Sequence, residues 1–394
     1  MIDACNLDEP QTATTGQVIS GQRINESGLN LADKESLTLS WDIHAERGLK
    51  CTDCHYALNN PRHAQDAADS RPEHLVYDPR RLEIGEYLER PNHNFARGES
   101  AQYTVDPDLK GSMRRCESCH AAEQTHSDWL PYTARHLEVL ACESCHIPEL
   151  NAPAVSSYDW TVLTTAGAAV TDCRGLDGDD PVNDLVTGYQ PVLMQRSNVD
   201  GKTLLAPYNL ITSWYWIYDD PNGESYPVRL VDLQAAYLEG DHYVPAILEA
   251  FDADQDGELS KTELVIDSDA KESVVKEQLT ALGLTNPRIE GQVQPYSINH
   301  DVARSEWATS DCQTCHHDDS LVTQPLKLAN NTPGGVTPTF VSDTNVATSG
   351  TLNQINGALF YTPQPEADGV YIFGRNRVAW VDWVGLLAFL GALV

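Results

Sequence analysis

Positive charge is scarce in this chain. Its 394 residues carry 26 Lys and Arg against 58 Asp and Glu, a formal net charge of −32 with histidine neutral. Such a surface repels nucleic acid and anionic lipid head groups, which excludes nucleic-acid binding, and it serves solubility, collects cations or steers basic proteins. Methionine is scarcer still, with only Met1, Met113 and Met194. Long periodic or apolar stretches are missing up to residue 377. Glycine (25) and proline (22) interrupt the sequence instead, many in turn pairs such as Pro221-Asn222-Gly223, which predicts short helices and long connections. No signal peptide opens the chain, because Met1-Ile-Asp-Ala-Cys5 runs directly into polar sequence, so the numbering begins after processing or the start is incomplete. Hydrophobic residues still make up 41%, enough to fold, and the length allows two or three domains.

What is present is cysteine in a repeated pattern. Eight of ten cysteines form four pairs separated by two residues, each followed at once by histidine: Cys51-Thr-Asp-Cys54-His55, Cys116-Glu-Ser-Cys119-His120, Cys142-Glu-Ser-Cys145-His146 and Cys312-Gln-Thr-Cys315-His316. A short turn with this spacing sets two thiols under the two vinyl groups of a haem, and the next side chain returns to the iron as an axial ligand. Zinc ribbons also use paired cysteines but need no histidine after each second one. A redox-active Cys-x-x-Cys wants a βαβ setting and rarely occurs four times. The pattern therefore predicts four haem c groups.

Each iron needs a second axial ligand. The three methionines supply little, whereas 13 histidines less four proximal ones leave nine. Bis-histidine ligation is the economical expectation and makes low-potential electron carriers. The leading distal candidates are His44, His93, His126, His136 and His300, with His63, His74, His242 and His317 behind them. Within residues 116–146, His136 ranks above His126.

These motifs resemble the multihaem cytochromes c. The resemblance implies closely packed haems that form the core of the fold, exchange electrons along a chain and leave little regular structure. In that family a histidine a few residues ahead of a motif, as His44 and His136 are, commonly ligates a neighbouring haem. Arg135-His-Leu-Glu-Val-Leu-Ala-Cys-Glu-Ser-Cys-His-Ile-Pro148 is locally similar to the octahaem tetrathionate reductase group. This chain departs from that group in having four motifs rather than eight and no lysine in place of a proximal histidine.

A second metal motif lies between the third and fourth pentads. Asp252-Ala-Asp254-Gln-Asp256-Gly257-Glu258-Leu-Ser260-Lys-Thr-Glu263 fills every slot of the twelve-residue EF-hand loop. It offers carboxylates at positions 1, 3 and 5, Gly at 6, the Glu258 carbonyl at 7, Ser at 9 and Glu at 12. All-oxygen donors select one Ca²⁺. Residues 244–251 predict the entering helix and residues 259–282 the exiting one. The run Trp214-Tyr215-Trp216-Ile217-Tyr218 reads as a strand with rings on both faces, or a wall over a haem. Residues 359–362 and 370–373 read as a hairpin.

Haem c is attached outside the cytoplasm, which places the chain on the periplasmic or extracellular face of a membrane. Cys5 and Cys173 remain for a disulfide, with two free thiols or a lipid on Cys5 as the alternatives. The last seventeen residues, 378–394, hold one acid, Asp382, and two early tryptophans. They read as a C-terminal membrane anchor at the short limit for a span, the alternative being a helix buried in a partner subunit.

The expected fold is mainly α with long loops, a haem-packed core, an EF-hand-containing segment, a small β-hairpin and a C-terminal hydrophobic helix. The expected division is a three-haem region at 1–150, a haem-free segment with the calcium loop at 151–299, the fourth haem at 300–330, a β-rich connector at 331–377 and the anchor at 378–394. The expected role is electron transfer between a membrane or quinone-linked partner and a redox protein. The alternatives are an enzyme reducing a small nitrogen or sulfur oxyanion at an open haem, and a subunit of a multihaem filament.

Overall fold

Strand β4 (Thr203–Asp219) organises the molecule, and its residues explain why. The sequence TLLAPYNLITSWYWIYD is rich in aromatic and β-branched residues, and nearly all of it is buried rather than every second position. A strand covered on both faces reads in this way. The computed structural model describes residues 13–54, 115–178, 183–197, 201–341, 346–372, 375 and 379–392; Cys5, His55, His63, His74 and His93 lie outside them.

One edge of β4 pairs antiparallel with β8 (Thr285–Ser297), in a register that sets Trp216 opposite Ile289 and Tyr208 opposite Ser297. The other edge is shared in turn by three strands. These are β3 (Val192–Ser197), antiparallel at 203–208; β1 (Ala154–Asp159), parallel at 212–214; and β5 (Ser225–Pro227), antiparallel at 217–219. Strand β2 (Val170–Arg174) extends the sheet beyond β1. The short β10 (Thr339–Phe340) and β11 (Val346–Ala347) join β8 and β3. The result is an eight-stranded mixed sheet.

The fold is therefore mixed α/β, not mainly α. The segment between the third and fourth pentads builds a hydrophobic core from its own side chains. Trp214, Tyr215 and Trp216 of β4 are 1% exposed and share one cluster with Leu233, Ala236 and Tyr237 of helix Leu230–Tyr237. The same cluster holds Ile247 and Phe251 of helix Pro245–Phe251, and Val275 and Leu279 of helix Asp269–Ala281. Trp216 Nε1–H donates to Thr161 O at 2.9 Å and Tyr237 O–H to the same oxygen at 2.7 Å, so the polar tips of these rings are satisfied inside. The tryptophan-rich run forms the expected strand, and this packing occupies its rings.

A three-stranded sheet, in the order β12 (Gly350–Ile355), β13 (Ala358–Pro363), β9 (Leu326–Ala329), covers the same cluster with Leu328, Leu359 and Tyr361. The hairpin partner of residues 359–362 is thus the strand before them, not residues 370–373. Asn356 and Gly357 turn the chain with φ of 53° and 86°. Both left-handed values belong to the two-residue hairpin turn whose twist suits the flanking strands. A two-residue pair, β6 (Leu238–Glu239) with β7 (His242–Tyr243), completes the strands of the described residues.

The C-terminal helix runs Ala379–Ala392, 14 residues. At ~1.5 Å per residue that is about 21 Å, against about 30 Å of bilayer hydrocarbon. Among the described residues no helix is long and apolar enough to cross a membrane. Trp380, Trp383, Leu387 and Phe389 on it are all exposed.

Candidate functional site

The pentads share one local geometry. In the three whose histidines are described, the histidine amide closes onto the carbonyl of the first cysteine: His120 on Cys116 (2.9 Å), His146 on Cys142 (3.0 Å) and His316 on Cys312 (2.9 Å). Residues three and four apart lie on one side of a helical turn, so two thiols and an imidazole leave the backbone together. Cys51–Cys54 forms the same single turn. None of the eight motif cysteines forms a disulfide. Cys173 is disulfide-bonded; Cys5 lies outside the described residues.

The distal candidates come to three of these turns. His44 faces His120, His126 faces His146, and His136 faces His316, each couple with ring centres 6.1 Å apart. A metal held between two imidazoles, with bonds of about 2 Å to nitrogen and about 1.1 Å from each nitrogen to its ring centre, separates the centres by about 6 Å. Every couple joins one motif histidine to one spare histidine. The residues thus fit a haem iron with two axial imidazoles.

The outward nitrogens are tethered. His126 Nδ1–H donates to Ala122 O (2.7 Å), His136 Nδ1–H to Tyr132 O (3.3 Å) and His146 Nδ1–H to Ala303 O (3.3 Å); His44 Nδ1 lies 3.6 Å from Asp42 Oδ1. A proton held on Nδ1 leaves the Nε2 lone pair for a metal and fixes the ring against rotation. For His126 and His136 the acceptor is the carbonyl four residues back, on helices Ala122–His126 and Thr133–Val139. Sequence order ranked these two unequally, but the structure places them in equivalent couples. Burial, first, then the neighbouring His126 and His120 hold His146 below the usual imidazole range, which keeps it in the neutral form that ligates.

The second, third and fourth pentads adjoin one another. Cys142 Sγ–H donates to Glu117 Oε1 of the second pentad at 3.9 Å, and the neighbouring thiols, before burial, push Cys116 up and Cys142 down. Burial and then the neighbouring Cys315 push Cys145 up to about 11, and Cys315 is raised by burial. The third pentad is hydrogen-bonded to the sheet. Ser144 Oγ–H and the Ala141 amide both donate to Leu205 O of β4, at 2.7 and 2.8 Å, and Ile147 beyond it is fully buried.

His300 is half-buried outside the three couples. Its amide and that of Asn299 donate to Gln17 Oε1, and the next residues contact the His44 turn through Val302 N–H to Asp42 Oδ2 and Ile43 N–H to Val302 O. His317 and His242 are exposed. His93 lies outside the described residues.

At the EF-hand-like loop, carboxylate oxygens of Asp252, Asp254 and Asp256 lie within 4.8 Å of one another. Gly257, with φ of 88°, makes the sharp turn, and Glu258 donates its amide to Asp256. Glu263 accepts from the amides of Ala253 and Ser260 and from Ser260 Oγ–H, and these bonds, Ser260 first, hold its carboxyl down at about 2. The entering helix is the expected one, Pro245–Phe251. The exiting helix is not, because residues 259–268 stay irregular and the helix forms only over Asp269–Ala281. Leu264 and Ile266, two apart, both turn into the core, an extended spacing. Lys271 Nζ takes the carbonyls of Glu263 and Val265 that a continuing helix would use, and Ser268 caps the later start.

No protein-family description matches this chain, and no curated protein matches it. Among solved structures it is similar to the crystal structure of octaheme cytochrome c from Shewanella oneidensis, with 13% identity and a TM-score of 0.33 over 71% of this chain. It spans 58% of the length of that protein.

Proposed function

We propose that the chain is a multihaem c-type cytochrome that carries electrons through bis-histidine haems. Four groups would be held by Cys51, Cys54 and His55; Cys116, Cys119 and His120; Cys142, Cys145 and His146; and Cys312, Cys315 and His316. The observation that carries the reading is the set of three imidazole couples at 6.1 Å, each joining a motif histidine to a spare one. A haem held there supplies a one-electron iron couple whose potential the axial ligands and burial set. The protein residues would do the rest: the thiols would tether the group, the paired histidines would hold its metal, and the Nδ1 tethers keep those rings in place. Histidines paired in this way would keep small ligands off a metal held between them, which favours a carrier over an oxyanion reductase. For the first pentad, His300 and His93 remain the candidates for the second imidazole.

The test is the spectrum of the oxidised holoprotein with its mass. Four covalent haems, all low-spin and inert to carbon monoxide and nitrite, support the carrier. A high-spin fraction that binds nitrite moves the reading to an enzyme, and a mass without haem removes it.

Two accessory roles belong to the same reading. The Asp252, Asp254, Asp256, Glu258 carbonyl, Ser260 and Glu263 donors would hold one Ca²⁺ as a brace, so the melting temperature should rise on adding calcium and Glu263→Gln should abolish the rise; equal melting curves with calcium and with chelator discard it. The exposed apolar helix Ala379–Ala392 would attach the chain to the outer face of a membrane, where a partner exchanges electrons with it. Removing residues 378–394 should then release the protein from liposomes into the aqueous fraction.

A further inference from the structure

Each of the three couples crosses from one segment of the chain to the next. His44 precedes the first pentad, with the Leu49 amide bonded to its carbonyl, yet it faces His120 of the second. His126 follows the second pentad and faces His146 of the third. His136 precedes the third pentad and faces His316 of the fourth. Other contacts show the same adjacency: Cys142 Sγ–H donates to Glu117 Oε1 of the second pentad at 3.9 Å, and Leu140, just before the third pentad, packs with Cys315 of the fourth on one apolar cluster.

Resting on the haem reading above, we infer that the attachment segments are laced in chain order, each iron from the second to the fourth being closed by the histidine of the segment before it. His44 closes the iron of the second pentad, His126 that of the third and His136 that of the fourth. The third pentad is the middle of the row. It meets the second through Cys142 and Glu117 and the fourth through the cluster that Leu140 and Cys315 share, and it is bonded to β4 through Ser144 and Ala141. The lacing has a physical consequence. Segments 43–54, 116–126 and 133–146 share few backbone bonds with one another, and paired ligation to a common metal fixes their separation where the hydrogen bonds do not.

The assignment is tested by removing one distal imidazole at a time and asking which attachment answers. In the holoprotein, His136→Ala should convert one haem of four to a five-coordinate high-spin form, seen by electron paramagnetic resonance and in the visible spectrum. The same substitution with Cys312→Ala and Cys315→Ala, which removes the fourth attachment, should show three haems by mass and no such signal. His126→Ala should give a signal that survives loss of the fourth attachment and disappears with Cys142→Ala and Cys145→Ala.

If the His136→Ala protein does not accumulate, His136→Met is the second variant. A thioether retains six-coordination and raises the potential, so one step of the reductive titration should move upward, and that step should be absent when Cys312 and Cys315 are replaced. A signal or shifted step that persists without the fourth attachment, or a His136→Ala protein that stays fully low-spin, overturns the lacing while leaving the carrier reading intact. Wild-type protein without covalent haem overturns the carrier reading itself, and the two failures are therefore distinct.

Discussion

The sheet body and the pentad segments use large side chains in opposite ways. In the body, Trp214 and Trp216 are 1% exposed, their indole N–H groups bonded to Val336 O and Thr161 O, and helices and a second sheet close over them. In the pentad region, Trp129 is 52% exposed and meets the ring of His126 at 5.7 Å, while Tyr132 stands 80% exposed on left-handed backbone. The helices there are one or two turns long, below the length at which a helix sustains itself. The body is thus held by apolar burial. In the pentad segments imidazoles meet in couples instead, an arrangement that a covalently bound cofactor would stabilise.

The largest expected effect breaks this contrast at its strong side. Trp216→Ala should cost about 3–5 kcal/mol, read as a lower urea midpoint for the whole chain. Trp129→Ala, removing an equally large ring, should cost less than about 1 kcal/mol. Equal losses at the two positions would show that the pentad region carries an apolar core of its own.

Next comes a charge inside the body. Asp159 is buried beside Thr161, and burial, with Asp172 adding, raises its carboxyl from 3.8 to about 7. Because the folded value lies above the unfolded one, the fold favours the protonated form. Stability from this group is present below pH 3.8, is lost as pH rises from 3.8 to about 7, and stays lost above that. The upper limit of that loss is about 4 kcal/mol. Thermal melts from pH 4 to 8 should show the decline, and Asp159→Asn should flatten it and raise the melting temperature at pH 8. A melting temperature that climbs between pH 5 and 7 in the wild type and not in the variant contradicts the assignment.

The smallest effect probes the seam between the two regions. Ser144→Ala removes the Ser144 Oγ–H bond to Leu205 O, but the Ala141 amide still satisfies that oxygen. The cost should be about 1 kcal/mol, with faster hydrogen exchange confined to residues 141–147. Exchange that quickens throughout β4 would mean the seam supports the sheet rather than resting on it.

Local chemistry made some of this molecule legible. A Cys-x-x-Cys-His unit works within one turn, so its geometry is encoded in five residues, and the structure shows that turn wherever the histidine is described. The twelve-residue acidic loop is equally local, and its three aspartates do converge. Asn356-Gly357 was a readable hairpin signal whose two positive φ values favour just that pair. The mainly α expectation failed because the cysteine motifs weighed more than the alternating and β-branched runs at 154–159, 192–197 and 285–297, which carry no helical period. The apolar spacing of residues 259–268 suits helix and extended chain alike, and burial of both Leu264 and Ile266 resolves it toward extended chain.

By itself, then, the sequence determined the chemistry that depends on neighbours along the chain: the number of attachment motifs, the oxygen donors of the acidic loop, the excess of negative charge and the stock of spare histidines. Tertiary structure decided everything that depends on partners far along it. Trp216 lies opposite Ile289, Ser157 beside Thr212, and His136 opposite His316. A strand edge accepts any strand of suitable register and an imidazole any metal within reach. Only the packed arrangement of the whole chain selects among them.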